Sequence, residues 1–339
     1  MYYVFFLFYS IGCFVFIPRN KRLVFLFLIS FGLIYFSSFR YETGVDYFNY
    51  LGLYNANYFA STEYAYWALS ILHNYLFDSF PLFVFMISVI TIVIKVYVLD
   101  RLSANIFISM YLFLCLSYIY VDMGFIRNSV SLAFFMFCFL MYTKNKRTIA
   151  FLLFFISFLF HHSVIFMLYI FLINMKNNKQ ISCGYILLLF FCILISSFGF
   201  VKELALSLGG IPGLDYVSYK LAFYLNQEAF QNFNLNIYNI RFVVVALFVF
   251  GFRKRIKNQP IIKMYFVGVC LILLFGFNVQ LYARIGLFVA FFEMLIMSFI
   301  AQLYKGKDRL IFIILLSIFY GISLLRTAYI MDIHLVRFL

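Results

Sequence analysis

Charge is what this sequence has little of. Only 11% of its 339 residues are Asp, Glu, Lys or Arg, where a water-soluble domain carries about 25%. Apolar and aromatic residues make up 66%, and the mean hydropathy is +1.02. These figures exclude soluble globular, disordered, coiled-coil and secreted disulfide-scaffold proteins and leave a polytopic membrane protein. Metal-ligand spacing is missing too: the six cysteines (Cys13, Cys115, Cys138, Cys183, Cys192, Cys270) all lie inside apolar runs and read as small buried side chains. The sequence contains no Walker or Rossmann phosphate loop, no acidic cluster of the kind that holds Mg²⁺, and no GxSxG around a serine. The chemistry is therefore expected to run without a nucleotide, cofactor or metal. A cleavable signal is not expected, because Arg19, Lys21 and Arg22 follow the first apolar run instead of preceding it.

A crossing helix needs about 20 apolar residues. Candidate spans are 2–17, 23–39, 80–99, 104–121, 125–142, 148–161, 163–175, 182–199, 239–252, 261–277, 281–302 and 310–329. The expected fold is thus all-α, a polytopic membrane protein of about twelve transmembrane helices, with residues 1–339 as a single membrane domain. The net charge of +14 would suggest nucleic acid in a soluble protein, but the cations cluster in short gaps between apolar runs, so no nucleic-acid partner is expected. With Arg19, Lys21 and Arg22 inside, Arg101, the Lys144–Arg147 gap, Lys176/Lys179, the Arg253–Lys257 gap and the Lys305–Arg309 gap all fall on the cytoplasmic side. Lys95 and Lys263 join them at inner helix ends. This pattern requires the chain to turn at His161-His162-Ser163, because fusing 148–175 into one span would send the later basic gaps outside.

The opposite face receives most of the acids, among them Glu42, Asp46, Glu63, Asp78 and Asp122, and all four histidines: His73, His161, His162 and His334. Arg40, Arg127, Arg241, Arg284 and Arg326 also fall there, at or just inside span ends. Arginines outside run against the topological rule, and five of them suggest an anionic ligand on the outer face. Two outer segments exceed mere connectors. Residues 40–79 include a Tyr/Trp/Leu run, 64–77, that fits an amphipathic helix lying in the interface. Residues 200–238 form one long outer loop with the breaker Gly209-Gly210-Ile211-Pro212-Gly213.

Four constellations could carry chemistry. In Phe39-Arg40-Tyr41-Glu42-Thr43-Gly44-Val45-Asp46, Arg40 offers a planar fork of donors that matches a phosphate or carboxylate edge, Gly44 permits a turn, and Asp46 can hold the arginine or receive a proton. An ordinary Arg–Asp pair at the headgroups reads equally from the spacing. In Asp122-Met123-Gly124-Phe125-Ile126-Arg127-Asn128, Arg127 lies in the first turn of a helix, where a cation is electrostatically the wrong way round. Either Asp122 or a bound anion is expected to compensate. His161-His162-Ser163 places two imidazoles at the inferred turn, and a neighbouring carboxylate could raise the basicity of one. The plainer reading is a polar turn at the headgroups. In Asn278-Val279-Gln280-Leu281-Tyr282-Ala283-Arg284, Arg284 lies a few residues into hydrocarbon, which is costly unless it is paired or lines a wet cavity. Glu293, deeper in the same helix, reads as a packing or proton-linked acid, and interfacial snorkelling is the default for Arg241 and Arg326.

Together these motifs resemble the EpsG-like family, which groups with the Wzy-type polymerases of bacterial surface polysaccharides. Arg40-Tyr41-x-x-Gly44-x-Asp46-Tyr47-x-x-Tyr50 is similar to its early outer-loop motif, and Gly124-Phe125-Ile126-Arg127-Asn128-Ser129 to its Ile-Arg-Gln/Asn helix start. Phe160-His161-His162-Ser163 resembles its Phe-His-x-Ser turn and Tyr282-x-Arg284-Ile285 its Tyr-x-Arg-Ile element. The resemblance implies a multi-pass polymerase of the bacterial cytoplasmic membrane with its active site facing the periplasm or exterior. Its substrates would be oligosaccharide repeat units on undecaprenyl diphosphate, and its surroundings membrane lipids with a chain-length regulator and flippase of the same pathway.

In that reading Arg40, Arg127, Arg284, Arg241 and Arg326 bind substrate diphosphate, and His161, His162 or Asp46 takes the proton of the acceptor hydroxyl. The helix near Trp67 and the 200–238 loop form the lipid entrance and sugar groove. The alternative is a flippase or transporter of the same lipid-linked sugars, which would want charge deep in several spans; by sequence that is nearly confined to Glu293. A membrane acyltransferase with a catalytic His is a further rival, opposed by the expected outer placement of every histidine.

Overall fold

The computed structural model describes residues 20–39, 44, 46–56, 63–176, 179–198, 237–276 and 279–336. The expected first span 2–17, Arg40 and nearly all of the 200–238 segment lie outside the described residues. Everything regular among the described residues is helical. In chain order the elements are α1 (Arg22–Ser38), α2 (Tyr47–Asn55), α3 (Tyr64–Phe77), α4 (Phe80–Leu102), α5 (Ile106–Phe113), a π-helical stretch (Leu114–Asp122), α6 (Ile126–Thr143) and α7 (Arg147–Phe160). They continue with a 3-10 helix (His162–Leu172), α8 (Gly184–Ser197), α9 (Ile237–Phe252), α10 (Gln259–Leu274), α11 (Val279–Leu303) and α12 (Gly306–Val336).

Helix ends follow local chemistry. Asn105 caps α5, its side-chain oxygen accepting from the amides of Phe107 and Ile108 at 3.1 and 3.3 Å. Pro81 and Pro260 sit in the first turns of α4 and α10, where an N–H is not needed. Gly44 adopts φ +110, a conformation open to glycine, and its carbonyl accepts from Tyr47 N at 3.3 Å where α2 begins. The expected division of 148–175 falls at His161: α7 closes at Phe160, His161 is extended (φ −159, ψ 121), and a differently wound helix starts at His162.

Among the described residues, four helical segments are long and apolar enough to cross a membrane: Phe80–Leu102, Ile126–Thr143, Gln280–Leu303 and Gly306–Leu325. The other apolar helices have 10–17 residues. A helix of 17 residues is only about 25 Å long, less than the ~30 Å of hydrocarbon. Of the twelve or so crossings expected, four reach full length among the described residues, so the count of twelve does not follow from the structure. Their environments differ sharply. The Gln280–Leu303 window is 89% buried, whereas that of Gly306–Leu325 is 11% buried and presents Leu310, Ile311, Ile314, Leu315 and Ile318 outward, as a lipid-facing helix would.

The chain forms two compact units, Met1–Val164 with Met297–Leu339, and Ile165–Ile296. In the first, α2 and α3 pack over the start of α4 and α6. Tyr47, Tyr50, Tyr54, Tyr66, Phe80, Phe83, Val84, Ile87, Ile126, Val130 and Phe160 form one buried cluster. A polar clasp joins the two short helices: Tyr54 Oη and His73 Nδ1 lie 3.0 Å apart, Asn74 Nδ2 donates to Tyr54 O at 3.0 Å, and Ser79 N donates to Tyr54 Oη at 3.1 Å. The run 64–77 is the expected helix. It buries Tyr66, Ser70 and His73 on one stripe and exposes Tyr64, Leu72, Tyr75, Leu76 and Phe77 elsewhere. Such a helix has apolar surface to spare after packing on the protein. In the second unit α8, α9 and α10 pack with the unit's part of α11, and Tyr169 Oη ties the 3-10 helix to α10 by donating to Met264 O at 2.8 Å.

Candidate active site

Three helix ends of the first unit meet at Glu63. Glu63 is the residue before α3 and is buried, with 7% of its side chain exposed. Arg127 stands in the first turn of α6, and His161 is the extended residue that closes α7. Arg127 Nη1 lies 2.6 Å from Glu63 Oε2, and His161 Nδ1 is hydrogen-bonded to Glu63 Oε1. One carboxylate therefore holds both a guanidinium and an imidazole drawn from distant parts of the sequence.

Aromatic rings complete the seat. The guanidinium carbon of Arg127 is 5.4 Å from the Tyr50 ring centroid and 6.0 Å from that of Tyr66, and the two rings are 5.6 Å apart. Cation–π attraction of this kind is worth about 0.5–2 kcal/mol according to exposure. Arg127 keeps 28% of its side chain exposed, so the cluster opens to the outside through the arginine.

Burial pushes the Glu63 pKa up, but the hydrogen bond from His161 and the charges of His161, Arg127 and His162 outweigh it and leave the pKa below its ordinary value. An ionised carboxylate only accepts. His161 Nδ1 then donates to Glu63, so that in the neutral ring Nε2 is the basic nitrogen. Burial raises the Tyr50 pKa, with Arg127 opposing and Asp46 adding to the rise, so Tyr50 stays a neutral phenol against the arginine.

The second and third sequence constellations thus converge through a residue that neither contains. The compensation expected for Arg127 from Asp122 or a bound anion comes from Glu63. Asp122 instead accepts from Lys95 Nζ and from Ser129 Oγ, both at 2.6 Å, and Lys95 Nζ reaches Ser129 Oγ at 3.0 Å. This corrects the reading of Lys95 as an inner-edge cation. It has no exposed surface and lies within the apolar helix α4. It also corrects the reading that deep charge is nearly confined to Glu293.

The other expected site residues are distributed as follows. Asp46 precedes α2, one turn before Tyr50, and accepts from Asn49 Nδ2 at 3.2 Å. His162 begins the 3-10 helix, acts electrostatically on Glu63, and sets its ring 4.9 Å from Phe158. In the second unit Arg241 Nη2 is 3.9 Å from Glu293 Oε2, and Tyr265 Oη is 3.5 Å from the same oxygen. Arg241 and the fully buried Glu293, read separately from the sequence, are thus a pair. Arg284 lies half-buried in α11 of that unit. Arg326 lies on α12 with its side chain outside the described residues, and Arg40 is outside them altogether. Among the described residues no three His, Cys, Asp or Glu side chains gather as metal ligands.

Apolar helices of crossing length, further shorter apolar helices and a charged cluster gathered at three helix ends define a helical membrane protein of the multi-pass kind. The chain belongs to the EpsG family, whose sequence profile matches residues 23–336. Membership supports a polysaccharide-polymerase-like role in general terms. No curated protein and no solved structure matches the chain.

Proposed function

We propose that the chain is a Wzy-type glycosyltransferase that joins undecaprenyl-diphosphate-linked oligosaccharide repeat units on the outer face of the cytoplasmic membrane, and that Glu63, Arg127 and His161 form its reaction centre. The observation that carries the proposal is the shared carboxylate: Glu63 orients the imidazole of His161 and holds the guanidinium of Arg127 at one opening. In the proposed step the acceptor hydroxyl oxygen attacks the anomeric carbon of the donor. His161 Nε2 takes the hydroxyl proton as the new C–O bond forms. The bond from the anomeric carbon to the diphosphate oxygen breaks, and the lipid diphosphate leaves with the electron pair. The guanidinium of Arg127 stabilises that growing charge.

Among the candidate bases, His161 is preferred to His162 and Asp46 because its ring is hydrogen-bonded to the Glu63 carboxylate. Arg40 and Arg284, with Arg241 and Arg326, remain proposed diphosphate contacts; Arg241 has Glu293 as a counter-charge. The step requires no metal.

The test is the polysaccharide ladder of cells carrying Arg127→Ala or His161→Ala. Loss of all products beyond a single repeat unit at normal protein level is expected. A full-length ladder from either variant removes that residue from the mechanism.

The flippase reading gains one specific observation, the Lys95–Asp122 pair buried against α4. Purified protein supplied only with the lipid-linked repeat unit separates the two. Products of doubled and tripled length mean polymerase, and no new linkage means transport.

A further inference from the structure

We propose that Asn128 and Ser163 form a subsite for a sugar hydroxyl beside His161, so that the acceptor is held by neutral hydrogen bonding while Arg127 serves the anion. The proposal rests on the reading of the Glu63 cluster as a reaction centre and adds to it the position of the acceptor. The motivating observation is a pair of orphaned atoms. Asn128 Oδ1 and Ser163 Oγ are both buried without a hydrogen-bond partner, and each residue has 8% exposure. Buried polar atoms are nearly always satisfied, and an unsatisfied one costs about 1–3 kcal/mol. Two of them flank the catalytic candidates in sequence, Asn128 after Arg127 and Ser163 after His161-His162.

Helix register puts Asn128 on the correct side. Ser131 of α6 and Ser157 of α7 are hydrogen-bonded at 2.9 Å, and Phe134 stacks on Phe160, so positions 131 and 134 mark the stripe of α6 that faces α7. Asn128 stands one turn before Ser131 on that stripe. His161, whose N donates to Ser157 O at 3.0 Å, directly follows the last turn of α7. The two helices are antiparallel, since only Lys144–Lys146 separate them, so Asn128 lies at the level of His161.

The chemistry of the pair selects the ligand class. The Asn128 carboxamide accepts through Oδ1 and donates through Nδ2, and because Oδ1 is the orphaned atom it calls for an O–H. A serine hydroxyl both donates and accepts. A sugar hydroxyl also does both and can be gripped by the two together. Its proton would then lie beside the imidazole that Glu63 orients.

Asn128→Leu tests the subsite, with Asn128→Gln as the variant that keeps the carboxamide. Replacing an orphaned buried amide with an apolar group of similar shape is neutral or stabilising, so a merely structural Asn128 predicts an unchanged or higher melting temperature and unchanged kinetics. The subsite predicts the same melting behaviour with kcat/KM lowered about tenfold or more, mainly through KM, and partial recovery in Asn128→Gln. The measurement uses full-length protein in nanodiscs with the undecaprenyl-diphosphate-linked repeat unit extracted from the producing cells. Ser163→Ala is measured beside it, so that a failure of Asn128→Leu to fold leaves a second readout; a smaller rise in KM is expected there. Wild-type elongation with kinetics unchanged in Asn128→Leu and Ser163→Ala, or in Ser163→Ala alone if Asn128→Leu does not fold, overturns the subsite and leaves the reaction centre standing. Absence of elongation by the wild type overturns the functional reading itself.

Discussion

The ammonium of Lys95 lies 2.6 Å from Asp122 Oδ1, and the two side chains are 0% and 2% exposed. Asp122 ends the π-helical stretch and Lys95 belongs to α4, so the pair fixes the turn from which α6 and its Arg127 start. Breaking a buried pair strands a charge and costs about 3–5 kcal/mol, whereas replacing both members with apolar groups is often neutral. Lys95→Met and Asp122→Leu should each lower the melting temperature of the detergent-purified protein strongly and reduce its level in the membrane. The double variant should recover most of the loss. A double variant as unstable as the sum of the singles would mean that the two side chains contribute independently.

Glu63 gives the first unit a pH dependence of defined sign. Its carboxyl titrates below the ordinary 4.5 because, although burial pushes the other way, the His161 hydrogen bond and the nearby cations prevail. A depressed carboxylate contributes stability that is fully present above its unfolded pKa and is lost as pH falls through the folded value. Glu63→Gln keeps the shape and removes the charge. The variant should melt lower than the wild type at neutral pH, and the gap should close on acidification below about 4.5. Polymerisation should fall about 10- to 100-fold, as expected when the group orienting a histidine is lost. Parallel melting curves across the whole pH range would show that the carboxylate charge contributes nothing.

What could be read from the sequence follows from range. Helix positions depend on local apolarity, so the runs 80–99 and 281–302 sit within α4 and α11 and 125–142 matches α6 to within a residue at each end, and the break at His161 follows from charge bookkeeping over neighbouring gaps. Pairings across the chain left no such trace. Arg127 advertises an unmet need by standing at a helix N-terminus, but the nearest acid in the sequence is Asp122. The carboxylate that answers it is Glu63, distant in sequence and marked only by preceding a Tyr/Trp-rich helix. Lys95 misled for the opposite reason. Its position toward the end of α4 fits a snorkelling cation, and only the side chain's direction toward Ser129 and Asp122 reveals a buried one. Arg241 and Glu293 were each visible as residues out of place, yet nothing in either helix alone says that they meet.

Two glycines in helix interiors should respond to alanine with opposite signs. At Gly52 in α2, an added Cβ meets nothing within 4 Å, so Gly52→Ala should stabilise by about 0.5–1 kcal/mol through the loss of unfolded-chain entropy. At Gly268 in α10, the same methyl would stand 2.6 Å from Val289 Cγ2 and 2.9 Å from Tyr169 Oη. Neither neighbour can yield cheaply: Val289 is wholly buried, and Tyr169 donates to Met264 O at 2.8 Å. Overpacking of this kind costs about 1–3 kcal/mol, more than the helix gains from alanine. Gly268→Ala should therefore lower the melting temperature of the purified protein and Gly52→Ala should raise it, with Gly268→Ala/Val289→Ala recovering part of the loss by relieving the closest contact. A stabilising Gly268→Ala would mean that α10 and α11 stand farther apart at Val289 than 2.6 Å implies.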